Sequence, residues 1–181
     1  MHKNNKQNIQ TLKGENMKTL VIISCGKRKI WDKNPNHGPC QAKNAYIGPL
    51  FKLAKQYAKK YADKWLILSA KYGFITPNFT IPENYNITFK NPKTNPITLT
   101  QLKKQAQQMK LHQYDQIIII GGKHYTEICK QIFPPNKLKT PFTGLPLGKK
   151  LQKIKQAMKL KPKLRRIKSK FYHSKIFHKA M

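Results

Sequence analysis

The sequence predicts an α/β fold: a single three-layer domain with a mostly parallel central sheet and flanking helices. Three observations predict it. Residues 19–23 (TLVII), 65–68 (WLIL) and 117–120 (IIII) are unbroken apolar runs of strand length, as expected of strands buried on both faces. Each run stops abruptly in small or polar residues: Ser24-Cys25-Gly26-Lys27, Ser69-Ala70-Lys71-Tyr72-Gly73 and Gly121-Gly122. Helical apolar spacing separates the runs, so the first two strands are joined by a β-loop-α-β crossover and are expected to be parallel.

Length and composition bound the rest. The 181 residues are 39% hydrophobic, enough for one domain with a core. Residues 1–17 read as a disordered basic arm, 18–159 as the α/β core and 160–181 as a basic tail. There are 37 Lys and Arg against 6 Asp and Glu, a formal net charge of +31. That excess favours a polyanion partner, DNA or RNA, bound through counterion release with steep salt dependence. Abundant Asn, Lys and Ile also fit an AT-rich genome, but such drift would raise Glu along with Lys, and Glu is scarce. Three cysteines outside any C-x-x-C spacing give neither a disulfide framework nor a zinc site, so a reducing cytoplasm is expected. No apolar run is long enough for a bilayer, so no membrane partner is expected; nor is any cofactor or metal.

Along the chain, the first strand leads into Ser24-Cys25-Gly26-Lys27-Arg28-Lys29. Gly26 permits close backbone approach and the cations suit phosphate, although the spacing is not that of a Walker loop. Cys25 reads as a packing or ligand-contact residue and not as a nucleophile. Residues 32–48, rich in Pro, Gly and Asn, are expected to be loop. Leu50, Leu53, Ala54, Tyr57, Ala58 and Tyr61 give a helix over residues 49–61. Residues 69–85 follow the second strand and gather Tyr72, Phe74, Phe79 and Tyr85 around Lys71 and Glu83, the aromatic faces and charges a nucleobase pocket needs. Residues 86–95 are strand or extended chain broken by prolines. Thr98 or Thr100 caps a helix with Leu102, Ala106 and Met109 on its buried stripe. After the four isoleucines, Gly121-Gly122 opens a turn into a helix running to about Phe133, whose first N–H groups favour an anion or polarised oxygen. A last helix carries Leu151, Ile154 and Met158 on one face and lysines around the other, before a cationic tail with Phe171, Tyr172 and Phe177.

The motifs ISCGKRK, QAKNAYIGPLF, LSAKYGFITP with IPENYNI, and IIIIGGKHY with TGLPLGKKL resemble a set of small microbial and viral domains of unknown function. These are similar in turn to the YaaA peroxide-stress proteins and to a core domain of archaeosine synthase. The resemblance covers about residues 18–158. It implies an α/β fold related to uracil-DNA glycosylase-like sheets, a link to DNA protection or modified-guanine chemistry, and a cleft at the strand tips. Carried over residue by residue, it implies pocket roles for Ser24, Cys25, Lys27, Ser69, Tyr72, Gly73, Pro77 and Tyr85. YaaA proteins tend to have an Arg after the tyrosine where this chain has Asn86, so a role needing a cation there does not carry over.

The function expected from these readings is that of an enzyme or enzyme-like domain binding a nucleobase or nucleotide in nucleic acid at the strand carboxyl ends, with cleavage or exchange of an N-glycosidic bond as the candidate reaction. Such chemistry extrudes the base, stacks it, reads its edge and stabilises the sugar cation with a carboxylate or a positioned water. Tyr72 and Phe74 are the expected stacking faces, Ser69 and the amides of Ser24, Cys25 and Gly26 the readers, Glu83 the base and Asp32 the reserve carboxylate. Lys27, Lys71, Gly73, Tyr85, Gly121 and Gly122 complete the expected substrate contacts. Lys29, Lys163, Arg165, Arg166 and Lys168 are the expected contacts to the nucleic-acid backbone. The alternative is a non-catalytic basic DNA-binding protein. A metal-dependent nuclease has little support, because the acids are scattered and offer no paired-carboxylate motif.

Overall fold

The computed structural model describes residues 17–159. The expectations for the arm up to residue 16 and for the tail, including Lys163, Arg165, Arg166 and Lys168, lie outside the described residues. In chain order the strands are β1 (Thr19–Ser24), β2 (Cys40–Gln41), β3 (Lys64–Ser69), β4 (Gly73–Ile75), β5 (Thr80–Ile81), β6 (Gln116–Ile120) and β7 (Leu138–Lys139). The α-helices are α1 (Ala42–Ala45), α2 (Pro49–Tyr61), α3 (Leu99–Gln108), α4 (Lys123–Lys130) and α5 (Leu147–Lys159).

The main sheet runs β4-β3-β1-β6-β7. β1 lies between β3 and β6 and is parallel to both, with Val21 opposite Trp65 on one side and Ile118 on the other. β7 extends the parallel set, while β4 folds back antiparallel on β3. Alternation along β1 builds two cores. Val21 and Ile23 face Phe51, Ala54 and Ala58 of α2 and Ile154 of α5, whereas Leu20 and Ile22 face Leu102 and Ala106 of α3 and Cys129 of α4. Helices on both faces explain why β1 is apolar throughout and not alternating.

The helices follow their sequence signals. α2 starts at Pro49, whose ring presets a helical φ and whose missing N–H is of no consequence in the first turn. α3 is closed by a capping box: the Thr98 hydroxyl accepts the Gln101 N–H at 3.2 Å and Gln101 Oε1 accepts the Thr98 N–H at 2.9 Å.

Four segments differ from expectation. Residues 32–48 are not all loop, because β2 pairs antiparallel with β5 in a small separate ribbon and α1 follows it. Two-residue strands are too short to show a period, and their partner lies about forty residues away in sequence. Residues 69–85 hold β4, made possible by Gly73 at φ +73°, where a Cβ would lie 2.0 Å from Gln105 Oε1. That amide accepts the Phe74 N–H at 2.9 Å and donates to the Tyr72 carbonyl at 3.0 Å. Residues 86–95 form no ladder; they run irregularly into a 3₁₀ turn at Pro92–Thr94, and α4 stops at Lys130, short of Phe133. Among the described residues, no helix is long and apolar enough to cross a membrane.

Candidate functional site

Because β1, β3 and β6 are adjacent and parallel, their carboxyl ends open on the same side of the sheet. Ser24 lies opposite Leu68, and Ile23 opposite both Ile67 and Ile120, one residue before Gly121. The approach is close enough that a Cβ on Gly121 would sit 2.9 Å from Ser24 Cβ and Oγ. The loop after β1 is tied down by the Cys25 N–H donating to the Leu68 carbonyl at 2.9 Å. Beside these tips is a cavity of about 470 Å³. The β1 loop lines it with Ser24, Cys25, Gly26, Lys27 and Lys29; the irregular segment lines it with Tyr85, Asn86, Ile87, Thr88 and Lys90. Gly122 and Tyr125 close it from the start of α4.

A buried hydroxyl chain holds the wall. Tyr85 OH lies 2.6 Å from Tyr46 OH and 2.8 Å from Ser69 Oγ, and Ser69 Oγ accepts the N–H groups of Lys71 and Tyr72 at 3.1 and 3.2 Å. Burial pushes the Tyr46 and Tyr85 phenols well above their ordinary range, so both remain neutral and serve as hydrogen-bonding struts. The β2–β5 ribbon places Tyr46 for this contact: the Ala42 N–H donates to the Phe79 carbonyl and the Lys43 N–H to the Pro77 carbonyl. Tyr72 meets Tyr85 edge to face at 5.4 Å and Phe79 at 5.1 Å.

Lys29 is the most unusual lining residue. Only 6% exposed, its Nζ donates to the Tyr85 carbonyl at 2.7 Å and to the Lys27 carbonyl at 3.3 Å, and it sits 4.5 Å from the Tyr85 ring centroid. Burial holds its pKa below the ordinary lysine value, against the opposing pull of Cys25 and Asp32. Cys25 Sγ contacts Tyr125 OH at 3.1 Å; burial pushes this thiol up, outweighing the Tyr125 hydrogen bond and the Lys29 cation. The thiol is therefore protonated near neutral pH, which fits packing and ligand contact.

The structure brings together Ser24, Cys25, Gly26, Lys27, Lys29, Tyr85 and Gly122 at the cavity, with Ser69 and Tyr72 one layer behind. Gly121 sits beneath them against Ser24. Gly73 is buried between Ser69 and Gln105, away from the lining. Phe74 is buried in the other core against Phe133 at 5.9 Å. Neither carboxylate lines the cavity. Asp32 Oδ2 accepts the Lys29 N–H at 2.9 Å, and Glu83, with a side chain 74% exposed, pairs with Lys71 at 3.8 Å. Among the described residues, no group of three His, Cys, Asp or Glu side chains is placed to hold a metal ion.

Sequence reasoning missed Ile87, Thr88, Lys90, Tyr125 and Lys150 as contributors. Lys150 reads as one more cation on the polar face of α5, yet it is 6% exposed and its Nζ donates to the Gly121 carbonyl at 2.9 Å. A signal for Tyr125 was present, since its hydroxyl-bearing ring follows the glycine turn by one helical step.

Fold and site together define an α/β domain with a lysine-lined, tyrosine-walled cleft at the carboxyl ends of parallel strands. The chain belongs to the family of unknown function DUF6884, whose model matches residues 20–156. It is 33% identical over 150 residues to the uncharacterized protein YfjM of Bacillus subtilis (strain 168), a span of 82% of this chain and all of that protein. No solved structure matches the chain.

Proposed function

We propose that this domain binds a nucleobase or nucleotide unit of nucleic acid in the cavity at the strand carboxyl ends. The carrying observation is the makeup of the lining among the described residues: three lysines, two tyrosines, one asparagine amide and no carboxylate. Aromatic faces and cations without an opposing acid favour a flat, anionic ligand. The position of the cavity supports this too, since ligands of open α/β sheets sit beyond the carboxyl ends of the strands. The likeness of the strand-tip motifs to YaaA proteins and to the archaeosine synthase core points the same way, as does the implied kinship with uracil-DNA glycosylase-like sheets. Asn86, the departure from the YaaA pattern, lines the cavity and offers an amide to a base edge.

Binding, more than cleavage, fits the geometry, because Glu83 and Asp32, the two carboxylates expected to serve glycosidic chemistry, stand outside the lining. The test is fluorescence-anisotropy titration of the full chain with a short single-stranded oligonucleotide at about 0.15 M salt. Lys90→Glu at the cavity is expected to weaken binding more than Lys110→Glu, an equal charge change at the other end of the sheet. Equal losses, or loss only on deleting residues 160–181, would instead favour a non-catalytic basic DNA-binding protein. Abasic sites formed in uracil-containing DNA and abolished by Glu83→Gln would restore the cleavage reading.

A further inference from the structure

We propose that the cavity anchors its ligand through a phosphate group, held by the N–H groups of Gly26, Lys27 and Gly122, the Ser24 hydroxyl and the Lys27 and Lys29 amines. This rests on the cavity being a ligand site and adds which part of the ligand it grips.

Four observations lead there. Ser24 is 9% exposed and borders the cavity, and its hydroxyl has no hydrogen-bond partner among the described residues. That hydroxyl keeps access to the cavity, which is the space open to a partner for it. The N–H groups of Gly26, Lys27 and Gly122 likewise meet no acceptor among the described residues, although all three residues line the same cavity. Gly122 precedes the first turn of the eight-residue α4, where the helix dipole favours negative charge. Lys29 is a buried ammonium with no carboxylate within ion-pairing range among the described residues: Asp32 accepts its backbone N–H and not its amine. A buried cation without a counter-ion is costly, and an anion in the cavity offsets that cost.

Lys150 completes the arrangement from behind. Its Nζ grips the Gly121 carbonyl from α5. Across a trans peptide the carbonyl and the following N–H point in opposite directions, so this contact turns the Gly122 N–H away from α5. No side chain obstructs approach, because a Cβ on Gly122 would meet nothing within 4 Å.

The same chemistry serves a free nucleotide and a phosphate within a strand, and the experiment separates them. The full chain is titrated calorimetrically at about 0.15 M salt with the common ribonucleosides, their monophosphates, inorganic phosphate and a short single-stranded oligonucleotide. The monophosphate, or the oligonucleotide if only a strand binds, is expected to bind at least about tenfold tighter than the nucleoside. Gly122→Pro deletes one N–H without changing charge, at a φ of −82° that proline tolerates, and is expected to remove about tenfold of that advantage. Ser24→Ala reads the same loss should the proline variant not fold.

Equal binding of nucleoside and monophosphate overturns the proposal. So does an advantage untouched by both Gly122→Pro and Ser24→Ala, or the absence of binding by every phosphate-bearing probe. Monophosphates no tighter than inorganic phosphate would leave the phosphate grip standing and overturn the nucleobase reading alone.

Discussion

At the amino ends of β1, β3 and β6 the chain satisfies its own polar groups, whereas at the carboxyl ends of the same strands it leaves donors unmet. Asp63 Oδ2 accepts the Thr19 N–H at 2.6 Å and its own N–H donates back to the Thr19 carbonyl at 2.9 Å. Asp115 does the same to Lys18, at 2.7 and 3.0 Å. These two aspartates clamp the start of β1 between its neighbours. At the other end, Ser24, Gly26, Lys27 and Gly122 face a cavity, and the nearest acids are engaged elsewhere. The difference separates what holds the sheet together from what the sheet presents.

The largest expected effect breaks the self-satisfied end. Asp63→Ala combined with Asp115→Ala removes two acceptors and is expected to destabilise the domain by about 2–5 kcal/mol in chemical denaturation, leaving ligand affinity intact. Gly121→Ala strikes where the β1 and β6 tips meet, since the new Cβ would press on Ser24 Cβ and Oγ at 2.9 Å. It is expected to lower stability by about 1–3 kcal/mol and, unlike the aspartate pair, to weaken binding as well. Tyr85→Phe leaves the Tyr46 and Ser69 hydroxyls without their shared partner, a loss of about 1–2 kcal/mol read by thermal denaturation.

The smallest effect is a pH dependence. The Lys29 amine titrates below the ordinary lysine value of 10.5, so in the window between its folded pKa and 10.5 the unfolded chain binds more protons and stability gains from rising pH. Buried Cys25, Tyr46, Tyr85 and Tyr125 have raised values and act in the opposite sense above their ordinary range. The sign is therefore read as a difference: in that window, stability of Lys29→Met is expected to rise less, or fall more, with pH than that of the wild type.

Much of this was legible in the sequence. The three apolar runs gave the parallel core because strands buried on both faces need no alternation, and the polar ends of the first and third marked the cavity. What escaped notice depends on tertiary placement. Lys150 looks like an ordinary surface cation until burial turns it onto the Gly121 carbonyl, and the sequence does not show that Lys29 is buried against the Tyr85 carbonyl. Tyr46 gains its role through β2 and β5, a ribbon too short to announce itself. Glu83 drew attention as one of few acids in an aromatic stretch, but sequence distance from Tyr85 says nothing of direction, and its side chain faces solvent and Lys71.

Amide chemical-shift mapping during titration of the full chain with a nucleoside monophosphate tests the central claim most directly. The account predicts shifts concentrated at Ser24, Gly26, Lys27, Asn86, Thr88 and Gly122, with Lys18, Thr19, Asp63 and Asp115 unmoved. Shifts gathered at the amino ends of the strands, or spread evenly over the exposed lysines, would contradict it.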